Sequence, residues 1–408
     1  MEVELQNTRA GMFDDTAKEK FGKSTLIARA GIDSDPAHGS VTPPVFLSTN
    51  YSFYGYSKKR PYDYARGGNP TRDMLGKALA ELESGYHGVI TASGMAALDL
   101  AFQLLETDDL LIAPHDCYAG TYRLLCARAW QRHFRVTFAN LTDGDRIEEL
   151  FTSAKPAMVL IETPSNPLLR ITDIARVVSL AKKVGARTAV DNTFLSPILQ
   201  KPLKLGADIV IHSTTKYING HSDVVGGAVI SASKELHERL AWWANCVGLA
   251  GAPFDSFLTL RGARTMPLRV GRQTESAGAI AEFLRKQPGI DAVYYPGFKT
   301  HPGHDIAARQ QSGFGAMISL EIKGGEKNLR AFLETLTGAE DSLFSLAESL
   351  GGFESLAAHP ATMTHAEMDP EARRRAGIGD NLVRLSIGLE EADDLCAALG
   401  QALEHAYQ

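Results

Sequence analysis

Short apolar runs alternate with helix-like stretches between residue 70 and about residue 235 of this 408-residue chain. Stretches such as 95–105 and 173–185 repeat apolar residues with the 3.6-residue period of a helix. The apolar runs have the length and composition of strands: GVITA (88–92), LLIAP (110–114), VTFAN (136–140), MVLIET (158–163), RTAVDNT (187–193), ADIVIHS (207–213) and GGAVIS (226–231). This alternation predicts an α/β fold, a mostly parallel sheet covered by helices on both faces.

The pattern changes after about residue 270. A helix is expected over 275–289, strands at AVYYPG, AMISLEI and LVRLSIG, and a final amphipathic helix from Glu390. These elements predict a smaller C-terminal α+β domain. We therefore expect an N-terminal arm (1–66), an α/β domain (67–272) and the C-terminal domain (273–408). The polar leader up to about Lys23 is expected to be flexible.

Composition narrows the classes of partner. The formal net charge is −6 and the charges are interspersed, so neither nucleic acid nor anionic lipid is expected as a partner. Small molecules or further copies of the chain are favoured instead. No apolar stretch reaches the length of a membrane helix and the leader lacks a secretory signal, so a cytoplasmic location is expected. The four cysteines form no C-x-x-C pair, which favours reduced thiols: Cys117, Cys126, Cys246 and Cys396.

Lys216 lies just beyond a buried-type strand, in ADIVIHSTTKYINGHSD. Burial destabilises an ammonium group, lowers the pKa of the lysine and makes it a nucleophile and base. A Schiff base to an aldehyde cofactor is the use that fits best. From this stretch alone, a lysine that merely extends its amine to solvent is about equally consistent.

Asp191 ends the preceding apolar run, where an unpaired carboxylate is costly and needs a cationic partner. The protonated ring nitrogen of pyridoxal phosphate is one such partner. A helix cap or a buried salt bridge is the commoner reason for a single aspartate. Two such residues at the carboxyl ends of consecutive strands favour the cofactor, because ligands bind at this edge of parallel sheets.

A phosphate site is expected at the turn Ser93-Gly94-Met95, between a strand and a helix, where free N–H groups and the helix dipole attract anions. Ser213 and Thr215 can add hydroxyl donors. Tyr118 follows another strand and can stack on a planar ring, although a lone aromatic more often packs in a core.

Arg384 alternates into an apolar strand, which indicates that it meets an anion such as a substrate carboxylate. The consecutive His115, Asp116 and Cys117 point in different directions, so no metal is expected.

Many strings of the chain resemble the Cys/Met-metabolism family of pyridoxal-phosphate enzymes from about Ser24 to the C-terminus. They are YARGGNPTRD, TASGMAAL, ETPSNPLLRITDI, VDNTFLSP, HSTTKYINGHSDVVGG, LRGARTMPLR, SLAESLGGFESL and HPATMTHAEM. APHDCYAGTYRLL, AWWAN and FDSFLTLRG are closer to the synthase branch of the family than to the lyases. The chain departs from the synthase pattern at Gly67, where a second arginine is expected, in its longer leader and in extra residues within 335–342.

The resemblance implies the fold of type I pyridoxal-phosphate transferases, with pyridoxal 5′-phosphate as cofactor. Lys216 would form the Schiff base and Tyr118 would stack on the ring, both as catalytic residues, and Asp191 would meet the ring nitrogen. The other implied cofactor-binding residues are Gly94, Met95, Asn166, Thr193, Ser213 and Thr215, with Tyr64 and Arg66 from a neighbouring subunit. The implied substrate-binding residues are Arg123, Glu348, Ser349 and Arg384.

The implied reaction is replacement at the γ-carbon of an activated homoserine ester by cysteine, with O-succinylhomoserine favoured, to give cystathionine. The shared site implies at least a dimer, and a dimer of dimers is usual in the family. Two alternatives remain open: elimination from cystathionine on the same scaffold, and a non-catalytic protein that binds the cofactor or an amino acid.

Overall fold

A seven-stranded sheet forms the larger part of the molecule in this computed structural model, which describes residues 21–408. Strands β1 to β7 are His87–Thr91, Leu110–Pro114, Arg135–Ala139, Met158–Glu162, Arg187–Asp191, Ile209–Ser213 and Gly227–Ser231. Their order is β1-β7-β6-β5-β4-β2-β3. β7 runs antiparallel to β1 and β6, and the other neighbours are parallel. The seven predicted strands and the mostly parallel sheet are confirmed.

Helices cover both faces of this sheet. In β4, Leu160 faces one apolar core, while Val159 and Ile161 face another on the opposite side. Both faces of the strand are therefore buried, which explains why its sequence is continuously apolar. The helices in this part are α1 Lys23–Arg29, α2 Pro70–Glu83, α3 Gly94–Phe102, α4 Ala119–Trp130, α5 Gly144–Ala154, α6 Ile174–Lys183, α7 Ser196–Leu199, α8 Lys234–Val247 and α9 Pro253–Ala263, with a 3₁₀ turn at Pro202–Leu205.

Side-chain caps fix where two of these helices begin. The Asn69 side chain accepts hydrogen bonds from the N–H groups of Thr71 and Arg72, and Pro70 occupies the first turn of α2. Ser93 accepts from the Ala96 N–H at the start of α3. The second cap places the first N–H groups of α3 directly after β1, at the edge of the sheet where the predicted phosphate site lies.

A second, five-stranded sheet forms the C-terminal part, with the order β10-β11-β12-β9-β8. β10 and β11 are parallel, and the other neighbours are antiparallel. Its strands β8 to β12 are Ile290–Tyr294, Met317–Ile322, Phe344–Leu346, Ser355–Ala358 and Leu382–Ser386. Its helices are α10 Met266–Leu284, α11 His304–Gln310, α12 Glu326–Thr337, α13 Pro370–Arg375 and α14 Ala392–Ala406. The strands and helices expected after residue 270 are present, but the helix expected over 275–289 runs over Met266–Leu284 instead.

One apolar core joins the two parts, since it includes Leu79 of α2, Val210 of β6, Ile280 of α10 and Val383 of β12. The predicted domain boundary between residues 272 and 273 falls inside helix α10, which is continuous there. The division into domains therefore stays a prediction. The leader expected to be flexible lies almost wholly outside residues 21–408. No helix within that range is both long and apolar enough to cross a membrane.

Candidate active site

A cavity of about 400 Å³ opens beyond the carboxyl ends of β4, β5 and β6, beside the start of α3. This is the edge at which ligands bind in parallel sheets, and the volume is within the range of small-molecule sites. Residues of the C-terminal part close its other side. The predicted site residues that line it are Gly94, Met95, Tyr118, Asn166, Asp191, Thr193, Ser213, Thr215, Lys216, Glu348, Ser349 and Arg384.

Lys216 occupies the turn that follows β6, and its Nζ donates a hydrogen bond of 2.6 Å to the Ser349 hydroxyl. Burial, with a smaller effect of the nearby Arg384 charge, lowers the pKa of Lys216 from 10.5 to about 8. Ser349 has a φ of 94°, a left-handed conformation that is strained for a side chain of this type. The lysine is thus held as an amine that can act as a nucleophile and a base near neutral pH.

Asp191 is the last residue of β5, and its carboxylate accepts a hydrogen bond of 3.0 Å from the Thr193 N–H. Burial raises the pKa of this carboxyl group above its ordinary value. Within residues 21–408, Asp191 forms no ion pair with a lysine or arginine. A cationic ring nitrogen in the cavity would supply the missing counter-charge.

The start of α3 packs closely against the end of β6. A Cβ atom added at Gly94 would lie 2.7 Å from the Cβ of Ser213, so only glycine fits without a shift. The Ser213 N–H in turn donates to the Thr193 hydroxyl at 2.9 Å. The first N–H groups of a helix have no acceptor within the helix, so those of Gly94 and Met95 remain for an anion. The residues therefore fit a phosphate group.

Arg384 of β12 is buried at the opposite wall. Its guanidinium donates to the Asn166 side-chain oxygen at 3.0 Å and to the Ser349 carbonyl at 2.9 Å. Its Nε has no hydrogen-bond partner in the described part of the chain. Burial lowers the pKa of Arg384 to about 10. A buried guanidinium that forms no ion pair with a carboxylate of residues 21–408 is suited to binding the carboxylate of a ligand.

Glu162 is a site residue that the sequence reasoning missed. It ends β4 and lines the cavity, and its two oxygens accept hydrogen bonds from the N–H groups of Tyr118 and Asn166. The sequence contains a signal for Glu162, which lies at the end of the apolar run MVLIET. An unpaired carboxylate costs as much free energy there as it does at Asp191. Ser93, part of the turn at which a phosphate site was expected, also lines the cavity. The remaining lining residues were not predicted and carry no comparable signal: Leu98, Pro164, Phe194, Val225, Leu350 and Thr364.

Three predicted site residues do not line this cavity. Tyr64 is exposed, and the Arg66 guanidinium lies over its ring, 5.3 Å from the ring centre. Arg66 also donates to the Asn245 side chain at 3.1 Å. Arg123 forms a surface ion pair with Glu367. The roles of Tyr64 and Arg66 in a neighbouring subunit, and of Arg123 toward the substrate, stay predictions.

Comparison with known proteins gives the class of this site, that of enzymes that use pyridoxal phosphate. The family described as Cys/Met metabolism PLP-dependent enzyme matches residues 24–404. The chain therefore belongs to this family. The resemblance, the fold class and the cofactor inferred from the sequence are confirmed.

Individual relatives of the family include both synthases and lyases. The chain is 51% identical to the cystathionine gamma-synthase of Escherichia coli K12, over 92% of this chain and 96% of the relative. It is 43% identical to the cystathionine gamma-lyase of Bacillus subtilis, over 94% and 99%. A crystal structure of cystathionine gamma synthase from Xanthomonas oryzae pv. oryzae in complex with cystathionine is 57% identical, with a TM-score of 0.92 over 95% of this chain and 99% of that one.

Proposed function

We propose that the protein joins cysteine to an activated homoserine ester, with O-succinylhomoserine favoured, to form cystathionine. The observation that carries the proposal is the likeness to two synthases, at 51% and 57% identity over nearly the whole chain, against 43% for the lyase. Since the chain belongs to a family of pyridoxal-phosphate enzymes, the residues of its cavity can be assigned to the cofactor and to the substrate.

The residues around the cavity divide into those that hold the cofactor and those that face the substrate. We assign Gly94, Met95, Ser213 and Thr215 to the phosphate and Asp191 to the ring nitrogen. Tyr118 would stack on the ring, Thr193 would support it, and Asn166 would lie near the ring hydroxyl and the substrate. Pyridoxal phosphate supplies an aldehyde that condenses with amines and a protonated ring that accepts electrons.

The substrate is held by its α-carboxylate, which we assign to Arg384 with the help of Ser349. This places the substrate Cα near Lys216. The lysine removes the Cα proton and returns protons later, because its pKa of about 8 gives it access to both protonation states near neutral pH. Glu348 and Arg123 are assigned to the distal end of the substrate.

In the replacement itself the bond between Cγ and the ester oxygen breaks, and succinate leaves. The thiolate of cysteine then forms a bond to Cγ, and the proton transfers at Lys216 run in reverse. O-succinylhomoserine and cysteine are thus converted to cystathionine and succinate. Removing Lys216 is expected to abolish turnover, while the phosphate and ring contacts retain the cofactor non-covalently.

The test is to incubate the holoenzyme with O-succinylhomoserine, with and without cysteine, and to identify products by mass spectrometry. We expect cystathionine to form only with cysteine, and none from Lys216→Ala. Normal turnover by that variant would refute the assignment of Lys216. Oxobutyrate formed in the absence of cysteine is an expected side product.

Elimination is the second candidate, favoured by the identity to the gamma-lyase. Both reactions need the same lysine and electron sink, so the products must separate them. Cleavage of cystathionine without any synthesis of it would establish the lyase. Cofactor binding without turnover of either substrate would indicate a non-catalytic protein.

We further propose a cytoplasmic homotetramer, built as a dimer of dimers, in which Tyr64 and Arg66 complete the site of a neighbouring subunit. The proposal is supported by their exposure outside the subunit's own cavity. Mixing refolded Arg66→Ala and Lys216→Ala subunits is expected to restore activity in about a quarter of the sites, because half of the dimers are mixed and each has one intact site. No restoration would show that Arg66 acts within its own subunit.

A further inference from the structure

We propose that Glu162 is a positioning residue of the cofactor site, which acts through the backbone N–H groups of Tyr118 and Asn166. The proposal rests on the cofactor site described above and does not depend on whether the enzyme is a synthase or a lyase. It assigns to Glu162 the placement of two residues that flank the ring, without contact between Glu162 and the reacting atoms.

The Glu162 carboxylate joins two loops through two hydrogen bonds, which together form the Glu162 clasp. Its Oε2 accepts the Tyr118 N–H at 2.9 Å, from the loop after β2. Its Oε1 accepts the Asn166 N–H at 3.0 Å, from the loop after β4. The residue is only 6% exposed, so these bonds are shielded from water.

Two convergent N–H donors select a carboxylate at this position. A carboxylate accepts on both oxygens, whereas the amide of glutamine has one acceptor and one donor group. With glutamine, one of the two N–H groups would face an N–H donor and lose its partner. Aspartate keeps the charge but is one methylene shorter, so it cannot reach both loops at these distances.

Placing a charged carboxylate at this position costs free energy. A carboxylate is therefore expected here only if both of its hydrogen bonds are needed. Glu162 lies beside Asp191 in the register of β4 and β5, so two carboxylates share one edge of the cavity. Burial, followed by the charge of Asp191, raises the pKa of Glu162, and the two N–H donors oppose this shift. A neutral side chain would avoid the repulsion but could not accept from both loops.

The clasp extends to the substrate side through Asn166. The Asn166 side-chain oxygen accepts from Arg384 at 3.0 Å, and its backbone oxygen contacts the buried His365 at 3.1 Å. Tyr118 carries the ring that stacks on the cofactor. Loss of the clasp should therefore weaken cofactor binding first, since it frees the Tyr118 loop.

The test measures cofactor affinity without any substrate, by titrating pyridoxal phosphate into cofactor-free protein and following its absorbance. Glu162→Gln and Glu162→Asp are each expected to weaken binding roughly tenfold or more, as one charge-assisted hydrogen bond is lost. Glu390→Gln is the matched control. Glu390 also accepts two hydrogen bonds at 2.8 Å, both from Ser355, but it does not line the cavity.

A double-mutant cycle separates positioning from general destabilisation. If Glu162 acts through Tyr118, Glu162→Asp should weaken binding several-fold less in a Tyr118→Ala background than in the wild type. Wild-type affinity in Glu162→Asp, or an equal loss in both backgrounds, would overturn the proposal. The cofactor titration measures binding and no turnover. Its result can therefore be interpreted even if the proposed reaction is not observed.

Discussion

Replacing Lys216 with methionine should stabilise the cofactor-free protein at neutral pH. The ammonium group is held in a cavity that penalises its charge, and methionine fills a similar volume without a charge. The variant would lose the 2.6 Å hydrogen bond to Ser349, which is a smaller contribution than the charge penalty. Lys216, which the proposed reaction requires, is therefore expected to lower the free energy of unfolding of the protein.

The magnitude follows from the lowered pKa of Lys216, about 8 against 10.5 in the unfolded chain. At 1.36 kcal/mol per pKa unit this difference corresponds to a penalty of about 3 kcal/mol. Between pH 8 and 10.5 the unfolded state binds more protons, so the stability of the wild type rises with pH. The advantage of the variant is therefore full below pH 8 and falls by about half by pH 9.5.

Urea unfolding of both cofactor-free proteins at pH 7, 8.5 and 9.5 measures the difference directly. Other titrating groups are common to both proteins and cancel in the difference. Lys327→Met, on the exposed surface of α12, controls for the loss of an ammonium group at the surface. A difference that stays constant with pH, or a variant less stable than the wild type at pH 7, would refute the reasoning.

Three further substitutions test the site and its support. Gly94→Ala should weaken pyridoxal-phosphate binding about tenfold, because the new Cβ would meet Ser213; titration of the cofactor-free protein checks this. Arg384→Lys should raise KM for the amino-acid substrate about tenfold or more and change kcat less, which steady-state kinetics resolves. Arg269→Lys should lower the free energy of unfolding by about 2 kcal/mol in urea, because the buried guanidinium donates to carbonyl groups after Lys216, including that of Tyr217.

The strands and the edge at which the site forms could be predicted from the sequence, because strands buried on both faces leave a continuous apolar run. Lys216 and Asp191 could be singled out since each places a charge at the end of such a run. The same reasoning applied to Glu162 would have found it. By contrast, the approach of Ser349 to Lys216 joins residues 133 positions apart and has no local signal. The exposed position of Tyr64 likewise depends on tertiary packing.

Helix α10 holds the part built on the seven-stranded sheet and the part built on the five-stranded sheet together as one rigid unit. Arg269 on this helix binds the turn after Lys216, and Gln273, one turn later, donates to the Gly352 carbonyl at 2.6 Å. A rotation between the parts would have to break at least one of these attachments. Ligands of different length must then be accommodated by side chains and loops around the cavity, because the two parts that enclose it do not move apart.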